Sequence, residues 1–378
     1  MLRNKRTVVR GFASTAEAVS KDSGERTASK SMKIQNEVMR RAVLEGEWKE
    51  GPPSFRTRKA RLGYHSPIGL KEVFPEALKV VQRDSEAHYA MAEKLQQQLK
   101  EVKGRKTAEK IKKEINKHLV RAELHNPEVL YNYKIKKGDF NIPIFRYLAE
   151  RDWKSYDMLL LMQRLETLHV IPDTMPTLDP RAAVSLQFPG VINKWVEPGK
   201  LLRNEVSAKR PILKIQEFEP IARESLYTVL IVDPDTPDLV NDSFKTTLHW
   251  AVSNIPLSNT DHLVDVSKAD ELVGYLPPHP EKNSPTHRYC VWVFRQETTD
   301  PDTTVRRIDV DNEDVERDYF DIRYFAEKYG LDPVGAHVWR CTFDRSTDSV
   351  RSKFGLGQGN VYSRVRRGTL REDPRGVL

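Results

Sequence analysis

Between residues 183 and 294 the chain runs repeatedly through short apolar or alternating segments, each broken off by a cluster of Pro, Gly, Asn or Asp. The segments are 183–188, 227–232, 248–252 and 289–294. Strands this short bury a face only by pairing with one another, so the pattern predicts an antiparallel β-sandwich or barrel. Ahead of them, 144–170 reads as one leading helix. Phe145, Leu148, Tyr156, Leu159, Leu160, Leu165 and Leu168 give it a broad apolar face, and Pro172 ends it. A further helix near 318–329 and a strand over 337–343 complete the region. The expected fold class is mainly β: an antiparallel sandwich with peripheral helices, preceded by an extended, basic, α-helical region.

Charge divides the chain along the same lines. The 378 residues carry 62 Lys and Arg against 54 Asp and Glu, a formal net charge of +8. Residues 1–140 hold a net +13 and residues 345–378 a net +5, which leaves the stretch 141–344 at −10. The sequence therefore describes an acidic globular body between two cationic arms, and the arms are where a polyanionic partner belongs. No apolar run approaches the roughly 20 residues that span a bilayer. The two cysteines, Cys290 and Cys341, exclude a disulfide scaffold and a four-cysteine zinc site.

The arms differ in character. Residues 1–16 contain Arg3, Lys5, Arg6 and Arg10 with no acidic residue before Glu17, the composition of a mitochondrial presequence. Arg10-Gly11-Phe12 supplies a cleavage context, which puts the presequence at 1–12. Residues 17–60 are polar and lack an apolar period. Over 76–122, Leu78, Val81, Leu95, Leu99, Val102, Ile111, Ile115 and Leu119 fall mostly at spacings of three, four and seven, and Gly104 marks a break. A stripe this thin makes no core of its own, so these helices are expected to lie along something else. Arg56, Arg58, Lys59, Arg61, Lys103, Arg105, Lys106, Lys110, Lys112 and Lys113 crowd this extension, and Arg364, Arg366 and Arg367 the tail. These are the RNA-contact candidates, because Lys and Arg neutralise phosphates with little demand for fixed geometry. The run 355–359, GLGQG, lacks the spacing of a dinucleotide or phosphate loop and reads as a flexible loop.

Specific motifs then occur in order: LYTVLIVDPDTP at 226–237, LHW at 248–250, GYLPP at 274–278, HRYCVW at 287–292 and FAEKYGLDPVGA at 325–336. Together they resemble the phosphatidylethanolamine-binding protein family over roughly residues 145–344, and VIPD at 170–173 and SLQF at 185–188 are similar to that family's opening strands. The resemblance implies that the sandwich is of that family's type. It also implies an anion pocket without metal or cofactor, lined here by Asp233, Asp235, His249, Pro277, Pro278, His287 and Tyr289. Two imidazoles and a phenol can donate to a phosphate or carboxylate, and the two carboxylates can orient the imidazoles and hold them cationic. The family's usual GxGPP has Leu276 at its second glycine, which places a side chain on the pocket rim. Two readings stay open: a working ligand site, or a vestigial one in which Asp233 and the histidines fix loop geometry. With no GxSxG elbow and no activated cysteine pair, an enzyme is not expected.

The division expected is a presequence at 1–12, a basic, largely helical extension at 13–140, the domain at 141–344 and an Arg/Gly-rich tail at 345–378. That whole architecture resembles a fungal type of mitochondrial large-subunit ribosomal protein built on the same fold. It implies a structural component of the mitochondrial large ribosomal subunit, in the matrix, at the central protuberance. The partners implied are the large-subunit rRNA and neighbouring mitochondrial ribosomal proteins, with no membrane span and no small-molecule ligand. The alternative is a soluble mitochondrial regulator that binds a phospholipid or phosphate ligand.

Overall fold

The computed structural model describes residues 34, 36–41, 57–64, 69–102, 104–190, 194–221, 225–296, 307–310 and 315–363. The presequence at 1–12 and the tail arginines beyond residue 363 lie outside them. Two compact units are present, Met1–Gly138 and Asp139–Leu378.

The first unit is built on two helices, Leu70–Glu101 and Arg105–Glu123, broken as expected at Gly104. Contrary to the expectation of an outside support, they lie along each other. Leu78, Ser85, Tyr89 and Ala92 on one helix, and Ile115 and Ala122 on the other, are buried at helical spacing. Polar cross-links fix the pairing: His88 and His118 meet through their Nδ1 atoms at 3.1 Å, and the Tyr89 hydroxyl donates to Glu123. Asn126 caps the following helix, Pro127–Lys134, and also donates to Glu123 at 2.6 Å. A thin stripe suffices because each helix serves as the other's partner.

The second unit opens with two helices, Pro143–Ser155 and Asp157–Thr167, where the sequence pattern suggested one. The chain breaks at Tyr156, whose backbone at φ −145° and ψ −58° is not helical. VIPD does not form a strand. It is a tight turn with His169 in the left-handed region and a cis Ile171-Pro172 peptide. SLQF does fall largely within a strand, β1 (Ala182–Gln187). The remaining strands are β2 (Lys200–Leu202), β3 (Ile212–Glu217), β4 (Leu226–Asp238), β5 (Ser243–Pro256), β6 (Asp270–Val273), β7 (His287–Gln296) and β8 (Leu331–Cys341), with the helix Ile322–Lys328 between the last two. β1 and β3 form a two-stranded antiparallel sheet, and the others form a six-stranded sheet in the order β2-β8-β7-β4-β5-β6. The large sheet is mixed rather than purely antiparallel, because β2 runs parallel to β8.

Alternation along the strands fills two cores. Leu230, Val232, Cys290, Trp292, Phe294 and Val338 point to one face, where Leu161, Leu165 and Phe325 from the helices cover them. Val229, Ile231, Trp250, Val291, Val293 and Trp339 point to the other, where Val184, Leu213 and Ile215 of the small sheet cover them. β4 and β7 are thus buried on both sides, which is why they read as nearly unbroken apolar runs rather than as alternating ones. Each fully buried Trp removes about 150–250 Å² from water, a gross gain of roughly 4–6 kcal/mol, whereas an exposed ion pair adds about 0–1 kcal/mol. Packing across the large sheet therefore holds this unit together.

The small sheet sits very close to β8. A Cβ added at Gly335 would lie 2.8 Å from Val184 Cγ2 and 2.9 Å from the Ala182 carbonyl oxygen. Gly335→Ala should therefore lower stability by about 1–3 kcal/mol, seen as a lower urea midpoint at unchanged slope. An unchanged midpoint would show that the two sheets separate freely.

Candidate functional site

β4 pairs with β7 as far as Val232, opposite Cys290, and then leaves it. Register shifts on its other side, against β5, occur between Ile231 and Val232 and again between Asp233 and Thr236. Such irregularities re-aim side chains, and Asp233 turns inward here, only 2% exposed. The neighbouring strands contribute His249 from β5 and His287 and Tyr289 from β7, all at 3% exposure or less. The connection after β6 brings Pro277 and Pro278, both buried.

The hydrogen bonds close on themselves. His287 Nδ1 donates to Asp233 Oδ2 at 2.7 Å, and its Nε2 lies 3.0 Å from Ser284 Oγ. The Asp235 backbone N–H donates to Asp233 Oδ1 at 2.9 Å. His249 Nδ1 donates to the Leu276 carbonyl at 2.8 Å, and the Leu276 N–H returns a 2.8 Å bond to the His249 carbonyl. Leu276 thus keeps the rim fixed through its backbone, at an ordinary negative φ. Because Nδ1 of His249 carries the proton, its Nε2 presents a lone pair, 4.0 Å from Asp233 Oδ2. Tyr289 stacks on Trp339 at 5.4 Å and meets His249 edge-on at 5.0 Å.

The electrostatics separate the two histidines. Burial, reinforced by the nearby His279, pushes His249 down to about 4, so it is neutral at physiological pH. Burial also works against charge on His287, but the Asp233 carboxylate outweighs it and raises the pKa. Asp233 is lowered in turn: burial opposes its charge, and the pull of His287 together with its hydrogen bond prevails. Burial keeps Tyr289 a phenol. The two imidazoles are thus driven in opposite directions, His249 toward the neutral form and His287 toward the cation beside Asp233. Asp235 also departs from its expected role, because it orients no imidazole. It binds Arg288 instead, through Nε at 2.7 Å, Nη2 at 2.6 Å and the backbone N–H at 2.8 Å. Arg288 continues to Asp173 and to the Leu168 carbonyl, both at 2.7 Å, and so ties the VIPD turn to β7.

Two contributors escaped the motif reading. His279, directly after the two prolines, donates to the Pro277 carbonyl at 2.9 Å and lies 5.6 Å from the His249 ring; its place beside GYLPP was the available signal. Arg351 is the other, in a short helix Thr347–Lys353. It is buried and donates to the carbonyls of His279, Leu356 and Gly357. Asn360 N–H and the Tyr362 hydroxyl both bond Glu281, so residues 351–362 lie on the 279–284 loop rather than forming a free flexible run. Arg351, cationic by sequence, is spent inside the fold.

Of the RNA-contact candidates, Arg58, Lys59 and Arg61 are exposed on the short helix Arg58–Leu62, which Thr57 caps. Lys110, Lys112 and Lys113 are exposed on the helix Arg105–Glu123. Arg105 and Lys106 belong to the same helix, and Arg56, Lys103, Arg364, Arg366 and Arg367 lie outside the described residues. Among the described residues no group of three or more His, Cys, Asp or Glu could hold a metal ion, and no helix is long and apolar enough to cross a membrane.

Known proteins share parts of this chain. The family model described as phosphatidylethanolamine-binding protein matches residues 192–335. At greater length it resembles the large ribosomal subunit protein mL38 of Schizosaccharomyces pombe, 29% identical over 308 residues that cover 81% of this chain and 93% of that protein. It is also 28% identical to the putative odorant-binding protein A5 of Drosophila melanogaster over 51% of this chain and 86% of that one. The phosphatidylethanolamine-binding protein of Plasmodium vivax aligns in structure with a TM-score of 0.38 at 18% identity, covering 48% of this chain and 97% of that one.

The titrations predict a pH response with two opposing parts. Native His249 and His337, both held to about 4, stay neutral where unfolded histidines take up protons near 6.5. The unfolded state then binds more protons, so stability falls as pH drops through that window. His287 acts the other way: its contribution is complete below 6.5 and is lost as pH rises through its raised native value. His287→Gln should therefore cost more stability at about pH 5.5 than at about pH 8.5 in urea titrations. A loss of equal size at both would contradict the Asp233 pairing.

Proposed function

We propose that this chain is a structural, non-enzymatic component of the mitochondrial large ribosomal subunit. On this reading it sits at the central protuberance, with the basic helical extension and the C-terminal arginines against rRNA and the domain against neighbouring ribosomal proteins. The observation that carries it is the reach of the likeness to the fission-yeast ribosomal protein, which extends beyond the binding-protein domain into the basic region and takes in 93% of that protein. A free ligand-binding member of the fold has no use for such an extension. Supporting it, the exposed Lys110, Lys112 and Lys113 lie on a helix whose other face is occupied by its partner helix, which leaves the cations for phosphate. The Arg-rich, acid-poor N-terminus supports import into the matrix.

In this reading the Asp233–His287–His249 cluster is an internal network that fixes the loops at one end of the large sheet. Its donors are spent on one another, on Ser284 and on backbone carbonyls, and the unprotonated Nε2 of His249 has no proton to give an anion. The regulator alternative requires that same cluster to bind a phosphorylated ligand, so calorimetry with phosphate and phosphoethanolamine, expected to register no binding, separates the two.

The chain should co-sediment with the mitochondrial large subunit at moderate salt and leave it only at high salt. Changing Lys110, Lys112 and Lys113 together to Glu should lower the salt needed, because every phosphate left without its lysine takes close to one unit off the logarithmic salt slope. A chain found free in the matrix, with no ribosomal pool, would contradict the proposal.

A further inference from the structure

β4 and β5 outrun the sheet they belong to. β4 is paired with β7 only through Val232, and β5 with β6 only from Ala251 onward, yet the β4–β5 ladder continues to Asp238 opposite Ser243. The two strands therefore run on as a ribbon, flanked along Thr246–Leu248 by residues 317–320 and joined at its tip by Leu239, Val240, Asn241 and Asp242. This tip is apolar where solubility alone would make it polar. Val240 is 89% exposed, the highest of any large hydrophobic among the described residues, and Leu239 and Phe244 are 67% and 58% exposed.

The tip is also built to hold its shape. Asp238 accepts from the backbone N–H groups of Val240 and Asn241 at 3.0 and 3.4 Å, from the Asn241 side chain at 2.7 Å and from the Tyr319 hydroxyl at 2.7 Å. Those bonds hold its carboxyl below the usual range. Lys245 lies 5.3 Å over the Tyr319 ring and pairs with Asp318 at 2.8 Å, which props the ribbon from the side. A rigid loop that exposes two branched apolar side chains has already met the ordering cost of binding, as an anchor residue does.

The surrounding charge selects the partner. Asp238, Asp242 and Asp318 outnumber the two nearby cations, and both cations are turned from the tip, Lys245 to Asp318 and Arg317 to the carbonyls of Leu248 and Gly274 at 3.1 and 2.8 Å, which leaves the tip weakly negative. A phosphate backbone would be repelled from such a surface. We infer that the β4–β5 tip is a docking element that inserts Leu239 and Val240 into an apolar socket, rimmed by basic side chains, on a neighbouring protein of the same particle. This deepens the ribosomal reading and rests on it.

The test uses the full chain assembled in mitochondria, with a photoreactive benzophenone amino acid in place of Val240 and, separately, the double variant Leu239→Ser/Val240→Ser. In gradient-purified large subunits the benzophenone should crosslink to a ribosomal protein through a site containing apolar and basic residues. The serine variant, checked for an unchanged melting profile, should be retained at least about tenfold less after a wash at fixed salt, as expected for losing apolar anchors. A crosslink to RNA, no crosslink, or undiminished retention of the serine variant would each overturn the inference while leaving the ribosomal reading intact. Absence of the unmodified chain from the large-subunit fractions would overturn both.

Discussion

Burial of the large sheet on both faces is the constraint from which the rest of the second unit follows. With helices on one side and the β1–β3 pair on the other, β4 and β7 are almost wholly apolar from Val229–Val232 and Cys290–Phe294, and the polar Thr228 and Arg295 fall only at the far end of their ladder. At this end of the ladder a buried charge enters where β4 parts from β7. That point is Asp233. Asp233, His249, His287 and Tyr289 gather at this end, beside the point where the β4–β7 pairing stops.

A carboxylate at 2% exposure needs a partner, and His287 supplies it, with its pKa raised in consequence. Having taken one cation, the cavity takes no second: His249 remains neutral and is clamped by Leu276 through two backbone-involving bonds. The same economy explains Asp235, which is drawn to Arg288 and so joins the VIPD turn to the sheet. Asp233, Asp235, His249 and His287 thus act as a connector between the β4 end, the 274–284 loop and the turn at 170–173. The segment 351–362 adds a further layer to it through Arg351 and Tyr362.

The sequence made some of this readable and concealed the rest for physical reasons. β4, β5 and β7 were legible because double-sided burial writes itself as apolar runs. β2, β3 and β6 were not: they are short, and β3, Ile-Leu-Lys-Ile-Gln-Glu, carries the polar residues of a covering sheet. The helical hairpin was visible as a thin stripe, but a stripe does not say that its partner is the next helix. The motif residues Asp233, His249, His287 and Tyr289 do come together. What their letters could not convey was direction, namely that Asp235 faces Arg288 and that His249 donates through Nδ1 to a carbonyl. Arg351 was hidden for the opposite reason: its charge counts it into the cationic tail 345–378, and only the fold places three carbonyls around it.

On the proposed ribosomal reading, nucleic acid is met by the cationic helices and not by the acidic β domain. Its most direct test is ultraviolet crosslinking of purified mitochondrial large subunits followed by peptide-resolved mass spectrometry of this chain. RNA-adducted peptides are predicted from the Arg58–Leu62 and Arg105–Glu123 helices and from the arginines after residue 363, with none from β4, β5 or β7. Adducts concentrated on those strands, or on the Leu239–Val240 tip, would contradict it.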